Sequence, residues 1–208
     1  MKKLLLGTLA ITVTTLSCSL LNAQSDYSSM PDGLYHLDKT HASLTWKVSH
    51  LGLSNYTARF THFDASLNFD PENIENSSLT ATIDPRSLTT DYPRTEKKDF
   101  DKTLINSKRW FNATVFPRIR FVSTAITSLN ETNVLVTGEL TFLGVTKPIS
   151  LNVTFNGAVA VQPFNGKPTL GFSATGVLQR SEFGLTTYIP NVGDKVTLLI
   201  EAEFAKGH

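Results

Sequence analysis

The sequence predicts an all-β domain of about eight antiparallel strands, built as a sandwich or an up-and-down barrel. Three observations predict it. Apolar residues recur at every second position in segment after segment, the period of a strand with one buried face. Turn-forming residues separate the segments: Asp70-Pro71, Asn130, Gly144, Gly157, Asn165-Gly166 and Gly193-Asp194. One stretch, residues 91–112, abandons the alternation and reads as a short helical insertion between two strands.

The first segment stands outside that fold. Met1-Lys2-Lys3, the uncharged run from Leu4 to Leu16 and the small residue Ala23 have the layout of a secretory signal peptide cleaved near Ala23. The expected destination is periplasmic or secreted. Leu16-Ser17-Cys18 also resembles a lipoprotein cleavage box, so a lipid anchor on Cys18 is the alternative. The apolar run is short for a bilayer span, and no later segment is long enough for one. Cleavage leaves 185 of the 208 residues, which suits one domain with its own core. Cys18 is the only cysteine, so that domain has no disulfide and relies on packing. Without Lys2 and Lys3, 17 of the 19 basic residues remain against 18 acidic ones, a formal charge of −1. That balance argues against nucleic acid or an anionic membrane surface as the partner of the whole molecule.

Residues 24–33, polar and ending in Pro31-Asp32-Gly33, read as a flexible leader, and the domain spans 34–206. Leu44, Trp46 and Val48 share the apolar face of the first strand. Ala65, Leu67 and Phe69 repeat the pattern, then Leu79, Ala81 and Ile83. After the insertion come Ile119 and Phe121, then Val134 and Val136 with Leu140 and Phe142. Ile149, Leu151, Val153 and Phe155 follow, then Phe172, Ala174 and Leu178. Val196 to Phe204 closes the chain. Phe60 and Phe63 have opposite parity, which predicts a bulge between them. In the insertion, Asp91 or Thr95 offers an N-cap, Phe100 and Leu104 stand one helical turn apart, and Trp110 and Phe111 follow. It is either a lid over one barrel end or a packed connector.

Little in the chain points to catalysis. There is no nucleophile elbow, phosphate-binding loop or dinucleotide fingerprint. His36, His41, His50, His62 and His208 fall in no motif, although His41, His50 and His62 could converge on a metal after folding. His50 continues the face of Leu44, Trp46 and Val48. It should point inward near a strand end, where it could meet a ligand's head or bond the backbone. The 13 Phe and 2 Trp sit mostly on apolar faces and either fill the core or line a cavity.

Four blocks, in order, resemble the YceI-like, or polyisoprenoid-binding, family. They are Asp38-Lys39-Thr40-His41 leading into Leu44 to His50; Phe60-Thr61-His62-Phe63 with Leu67 to Pro71; Gly138-Glu139-Leu140-Thr141-Phe142-Leu143-Gly144-Val145-Thr146-Lys147-Pro148; and Arg180-Ser181-Glu182-Phe183-Gly184-Leu185. Ala58 and Ala65 depart from the family's usual glycines. Phe100-Asp101-Lys102 stands where its helical insertion usually has an Arg-Asp pair. The resemblance implies an eight-stranded antiparallel up-and-down lipocalin-like barrel with an apolar tunnel. It implies a lipid-binding protein, not an enzyme, that sequesters or carries a polyisoprenoid, an isoprenoid quinone or a long-chain fatty compound, with homodimers common.

On that reading no cofactor or metal is expected beyond the bound lipid. Trp46, Val48, Phe60, Phe63, Leu67, Phe121, Leu140, Phe142, Phe155 and Phe172 are expected to line the tunnel, with Trp110 and Phe111 from the insertion. Phe183, Tyr188 and His50 stand near an opening. Arg94, Lys97, Lys98, Arg109, Arg118 and Arg180 are the cations available to a charged head, or are solvated surface charges. The rivals are a ligand-free structural or partner-binding barrel, whose side chains would fill the interior, and a lipid-acting enzyme, which would need polar groups inside it.

Overall fold

The computed structural model describes Ala23, residues 26–93 and residues 96–207. The expected signal segment with Cys18, and likewise Arg94, Thr95 and His208, lie outside the described residues. Ten strands form one antiparallel sheet: β1 (Gly33–His50), β2 (Ser54–Phe60), β3 (Phe63–Phe69), β4 (Ser78–Ile83), β5 (Leu88–Thr89), β6 (Ile119–Ser128), β7 (Asn133–Phe142), β8 (Val145–Val159), β9 (Thr169–Gln179) and β10 (Val192–Lys206). The long β1 pairs with β2 through Leu44–Phe60 and with β3 through Gly33–Phe69. β2 and β3 are therefore one bent strand, broken at Thr61-His62. β5 is a two-residue stub on β2. What remains is an eight-stranded up-and-down meander, and pairing of β10 with β1 from Tyr35–Lys206 to His50–Val192 closes it into a barrel.

Closure needs bends, and four register shifts provide them: between Leu37 and Ala42 on β1, between Val192 and Val196 on β10 opposite His50 and Val48, at Ser123/Ala125 on β6, and at Phe155/Gly157 on β8. Close packing inside needs room, which Gly138 on β7 supplies. A Cβ there would lie 2.5 Å from Phe121 Cζ and 2.4 Å from the Val122 carbonyl oxygen, so the Phe121 ring lies flat over the glycine backbone. The β7–β8 turn puts Leu143 and Gly144 at positive φ, 50° and 77°, the geometry of a tight hairpin.

The insertion is less helical than its length predicts. Helix α1 covers only Phe100–Asn106, and its N-cap is Asp99, whose Oδ1 accepts from Lys102 N–H at 2.9 Å. Asp91 is instead exposed, at φ 53°. The helix is held at both sides. Thr90 donates its backbone N–H and its hydroxyl to the Asp101 carboxylate. Phe111 and Ala113 donate back to Leu104 and Ile105 carbonyls, folding the chain over the buried Leu104 and Ile105. Two residues of the expected leader pack on the barrel, while Asp26, Ser28, Ser29, Pro31 and Asp32 are exposed. Met30 is buried, Tyr27 stacks edge-on against Phe69 and Phe155, and Tyr35 donates its hydroxyl to the Pro31 carbonyl at 2.7 Å.

Candidate functional site

The barrel has two unlike ends. At one, the start of β1 and the end of β10 meet an aromatic plug. Tyr35, Phe69, Phe155, Leu170 and Phe204 are buried there, with Tyr27 and Met30 folded beneath them. At the other end lie α1, residues 107–118 and the 180–191 connection. Between the two is a cavity of about 270 Å³ whose wall presents no polar surface. It is nearly twice the ~150 Å³ of an apolar void that stays dry and admits benzene. On β1 its wall runs from Leu37 to Val48, roughly 35 Å measured along the strand at ~3.3 Å per residue.

Most of the residues expected in the wall are there. Trp46 and Val48 come from β1, Phe60 from β2, and Phe63 and Leu67 from β3. Phe121, Leu140 and Phe142 come from β6 and β7, and Phe172 from β9. Trp110 and Phe111 reach it from the insertion. Phe60 and Phe63 both face inward despite their opposite parity, because the Thr61-His62 break reverses the face between them. Phe111 joins the insertion to the wall, with its ring 5.6 Å from Phe60, 5.8 Å from Phe142 and 6.3 Å from Trp46.

Three expectations fail. His50 is exposed because it is the last residue of β1, where the strand gives way to the β1–β2 turn. Phe155 is buried but belongs to the plug, packed on Tyr27 and Phe172. Phe183 is fully buried behind the wall against Phe142, at 5.7 Å. Tyr188, expected near an opening, is 57% exposed, with Trp110 of the wall 6.1 Å from it and the Arg109 guanidinium 5.1 Å above its ring. Nor do the histidines converge: His62 sits at the strand break against Thr61, while His41 meets Asp38 at 3.0 Å. Asp38, His41 and Glu203 form a small surface cluster whose ligand atoms lie within 4.8 Å of one another. It lies outside the cavity wall. The hydrogen bond from His41, second to that from Thr40, helps hold the Asp38 carboxyl down at about 2.

Among the wall residues only Ser77 and Arg180 are polar, and both are engaged. Ser77 Oγ accepts from Asp70 N–H. Arg180, available on the sequence as a head-group cation, is 2% exposed and donates to the carbonyls of Leu185, Thr187, Val192 and Gly193 at 2.7–2.9 Å. It organises the 185–193 connection rather than facing solvent. Burial depresses its pKa, partly offset by the nearby Asp194 carboxylate. Lys98 lies over the Phe100 ring at 5.3 Å, Lys97 is exposed beside it, and Arg118 borders a shallow groove at the β2–β3 break with Arg59 and Arg86.

Among the described residues, two polar atoms near the α1 end are buried without a hydrogen-bond partner: Trp46 Nε1 and Tyr56 Oη. In the β1–β2 register Trp46 faces Ala58 and Val48 faces Tyr56, so both side chains stand on one inner face beside α1. Tyr56 packs edge-on against Phe100 of the helix. Each orphan costs on the order of 1–3 kcal/mol until something pairs with it. Sequence reasoning missed Tyr56, although its parity with Ala58 and Phe60 is a usable signal.

Known proteins share this architecture. A UPF0312 protein of Pseudomonas fluorescens (strain SBW25) is 34% identical over 185 residues, 89% of this chain and 88% of that protein. The crystal structure of the Campylobacter jejuni YceI protein matches with a TM-score of 0.66 at 29% identity, covering 78% of this chain and 91% of that one. A polyisoprenoid binding domain from Saccharophagus degradans, implicated in plant cell wall breakdown, shares the fold with a TM-score of 0.60 at 13% identity, covering 85% of this chain and 100% of that one. The family model described as YceI-like domain matches residues 35–204, from the plug on β1 to the end of the closing strand, and the chain belongs to that family.

Proposed function

We propose that this protein binds one elongated apolar molecule inside the barrel, a polyisoprenoid, an isoprenoid quinone or a long-chain fatty compound, and holds it out of water without transforming it. The observation that carries this reading is the continuous carbon-walled cavity between the plug and the α1 end. A barrel serving only as scaffold has no use for such a void, since unfilled space costs packing energy. Burying each CH₂ of a ligand there returns about 0.8 kcal/mol, so a few isoprene units give firm binding. The wall carries no carboxylate, histidine or free nucleophile, which favours holding over catalysis. The description of the Saccharophagus degradans domain as polyisoprenoid binding supports the class of ligand. The tail would lie against Phe121, Leu140 and Phe172, and the polar end would lie under α1, beside Trp46 and Tyr56. The signal-like N-terminus supports a periplasmic or secreted setting, where a water-insoluble ligand needs a carrier.

The test is native mass spectrometry of the purified protein, followed by organic extraction. The reading expects a discrete extra mass that solvent removes and that proves to be an isoprenoid or fatty compound. A clean ligand-free mass, with no uptake of added prenyl alcohols or quinones, would sink it.

A further inference from the structure

The end of the cavity away from the aromatic plug has a rim with the features of a bilayer contact. Leu51 and Leu53, at the β1–β2 hairpin tip, are 54% and 84% exposed. Leu51 N–H donates to the Asn191 carbonyl at 2.7 Å, tying the tip to the loop that carries the exposed Tyr188 and Ile189. Tyr188 in turn packs on Trp110, a cavity-wall residue, and Thr187 Oγ1 donates to the Arg109 carbonyl at 2.7 Å. A contiguous apolar edge therefore runs from the hairpin tip to the cavity wall.

The backbone supports a role for these side chains. Leu51 and Tyr188 are held at φ 54° and 61°, where glycine or asparagine would cost less. A bulky apolar residue kept at such a position, and pointed at solvent, is a poor solution for folding alone. The flanks carry exposed cations. Lys108 and Arg109 stand on the Tyr188 side, and Lys97 and Lys98 on the Phe100 side.

We propose that this rim docks on a phospholipid bilayer bearing anionic head groups. Leu51, Leu53 and Ile189 enter the apolar layer, Tyr188 sits at the interface, and the four cations meet the phosphates. The chain as a whole is nearly neutral, so the attraction is local to this end. The inference rests on the apolar-ligand reading: docking there lets a ligand pass between membrane and cavity without crossing water.

Vesicle flotation with phosphatidylglycerol–phosphatidylcholine membranes tests it, comparing wild type, a Leu51→Ser/Leu53→Ser double variant and Phe164→Ser. Phe164 is 89% exposed but lies on the β8–β9 connection at the plugged end, so it is the control. The expected result is that the double variant loses vesicle binding about tenfold or more, as lost burial of two leucines requires, while Phe164→Ser binds as wild type. Pure phosphatidylcholine should bind all three weakly. Equal binding by wild type and double variant, or no binding by wild type, overturns the proposal. So does a wild-type dimer that the double variant dissociates without any vesicle binding, since the rim then joins two copies of this chain. Uptake of a detergent-solubilised apolar probe is measured beside it. Uptake with no vesicle binding fails the docking alone, whereas no uptake by any form fails the underlying ligand reading.

Discussion

The two ends of this barrel are closed by different means. The plugged end is closed by strand residues and a satisfied polar group. Tyr27, Phe69, Phe155, Phe172 and Phe204 interlock at ring distances of 5.3–6.0 Å, and Tyr35, with no exposed surface, donates to Pro31. Its positive-φ positions are glycines: Gly33, Gly157 and Gly166. The opposite end, under α1, is closed by irregular chain. Every non-glycine described at positive φ falls there: Leu51, Asp91, Asn112, Leu143 and Tyr188. So do the two orphaned polar atoms and the buried Arg180. One end is built to stay shut. The other stores unpaired donors and uncommon backbone conformations, the properties of a region that can rearrange.

The largest effect expected is at Arg180. Arg180→Met strips four carbonyls of their partner, one buried and three partly buried, and should cost about 4 kcal/mol in urea unfolding. A change under 1 kcal/mol would mean that the 185–193 connection holds itself. Next is the plug. Phe155→Ala should lose ~3–5 kcal/mol of stability while ligand stoichiometry is unchanged. Phe111→Ala, in the insertion, should instead speed release of a bound probe in stopped-flow chase. Reversal of those phenotypes would put the entrance at the plugged end.

Smaller and of opposite sign are two tyrosine deletions. Tyr35→Phe removes a satisfied hydroxyl and should destabilise by about 1 kcal/mol, whereas Tyr56→Phe removes an orphan and should be neutral or stabilising in ligand-free protein. Two equal losses would show that Tyr56 has a partner after all. The smallest effect is alkaline. Burial first, and the Asp32 carboxylate second, push the Tyr35 phenol up to about 12 from 10.0. A raised value means the neutral form is favoured by folding, so this contribution is complete below pH 10 and is lost as pH rises toward 12. Asp32→Asn should move the tyrosinate absorbance transition slightly down, and an unmoved transition would leave burial as the sole cause.

The strands were legible because period-two alternation survives tertiary packing. Leu44, Trp46 and Val48 face inward as their spacing requires, and the odd parity of Phe60 and Phe63 correctly marked a break. His50 departs from its expected place because it is the last residue of β1: alternation gives its parity but not where the barrel wall ends. The plug escaped notice because Tyr27 and Met30 sit among turn-forming polar residues whose composition resembles a loose leader. Arg180 reads as a candidate surface cation because charge dominates composition, while its four carbonyl partners come from later in the chain, two from the connection after it and two from the start of β10. The cavity itself has no signature in sequence: the same aromatic faces that line it could have filled it.

Both tryptophans of the chain, Trp46 and Trp110, line the cavity, so its intrinsic fluorescence reports on that space. The most direct test is titration with a long-chain compound carrying a doxyl or bromine quencher midway along its tail. The account predicts saturable quenching at one molecule per chain, abolished when Ala81 in the wall is changed to Trp and the enlarged side chain occupies the space. Quenching that never saturates, or that survives Ala81→Trp unchanged, would contradict a ligand held inside the barrel.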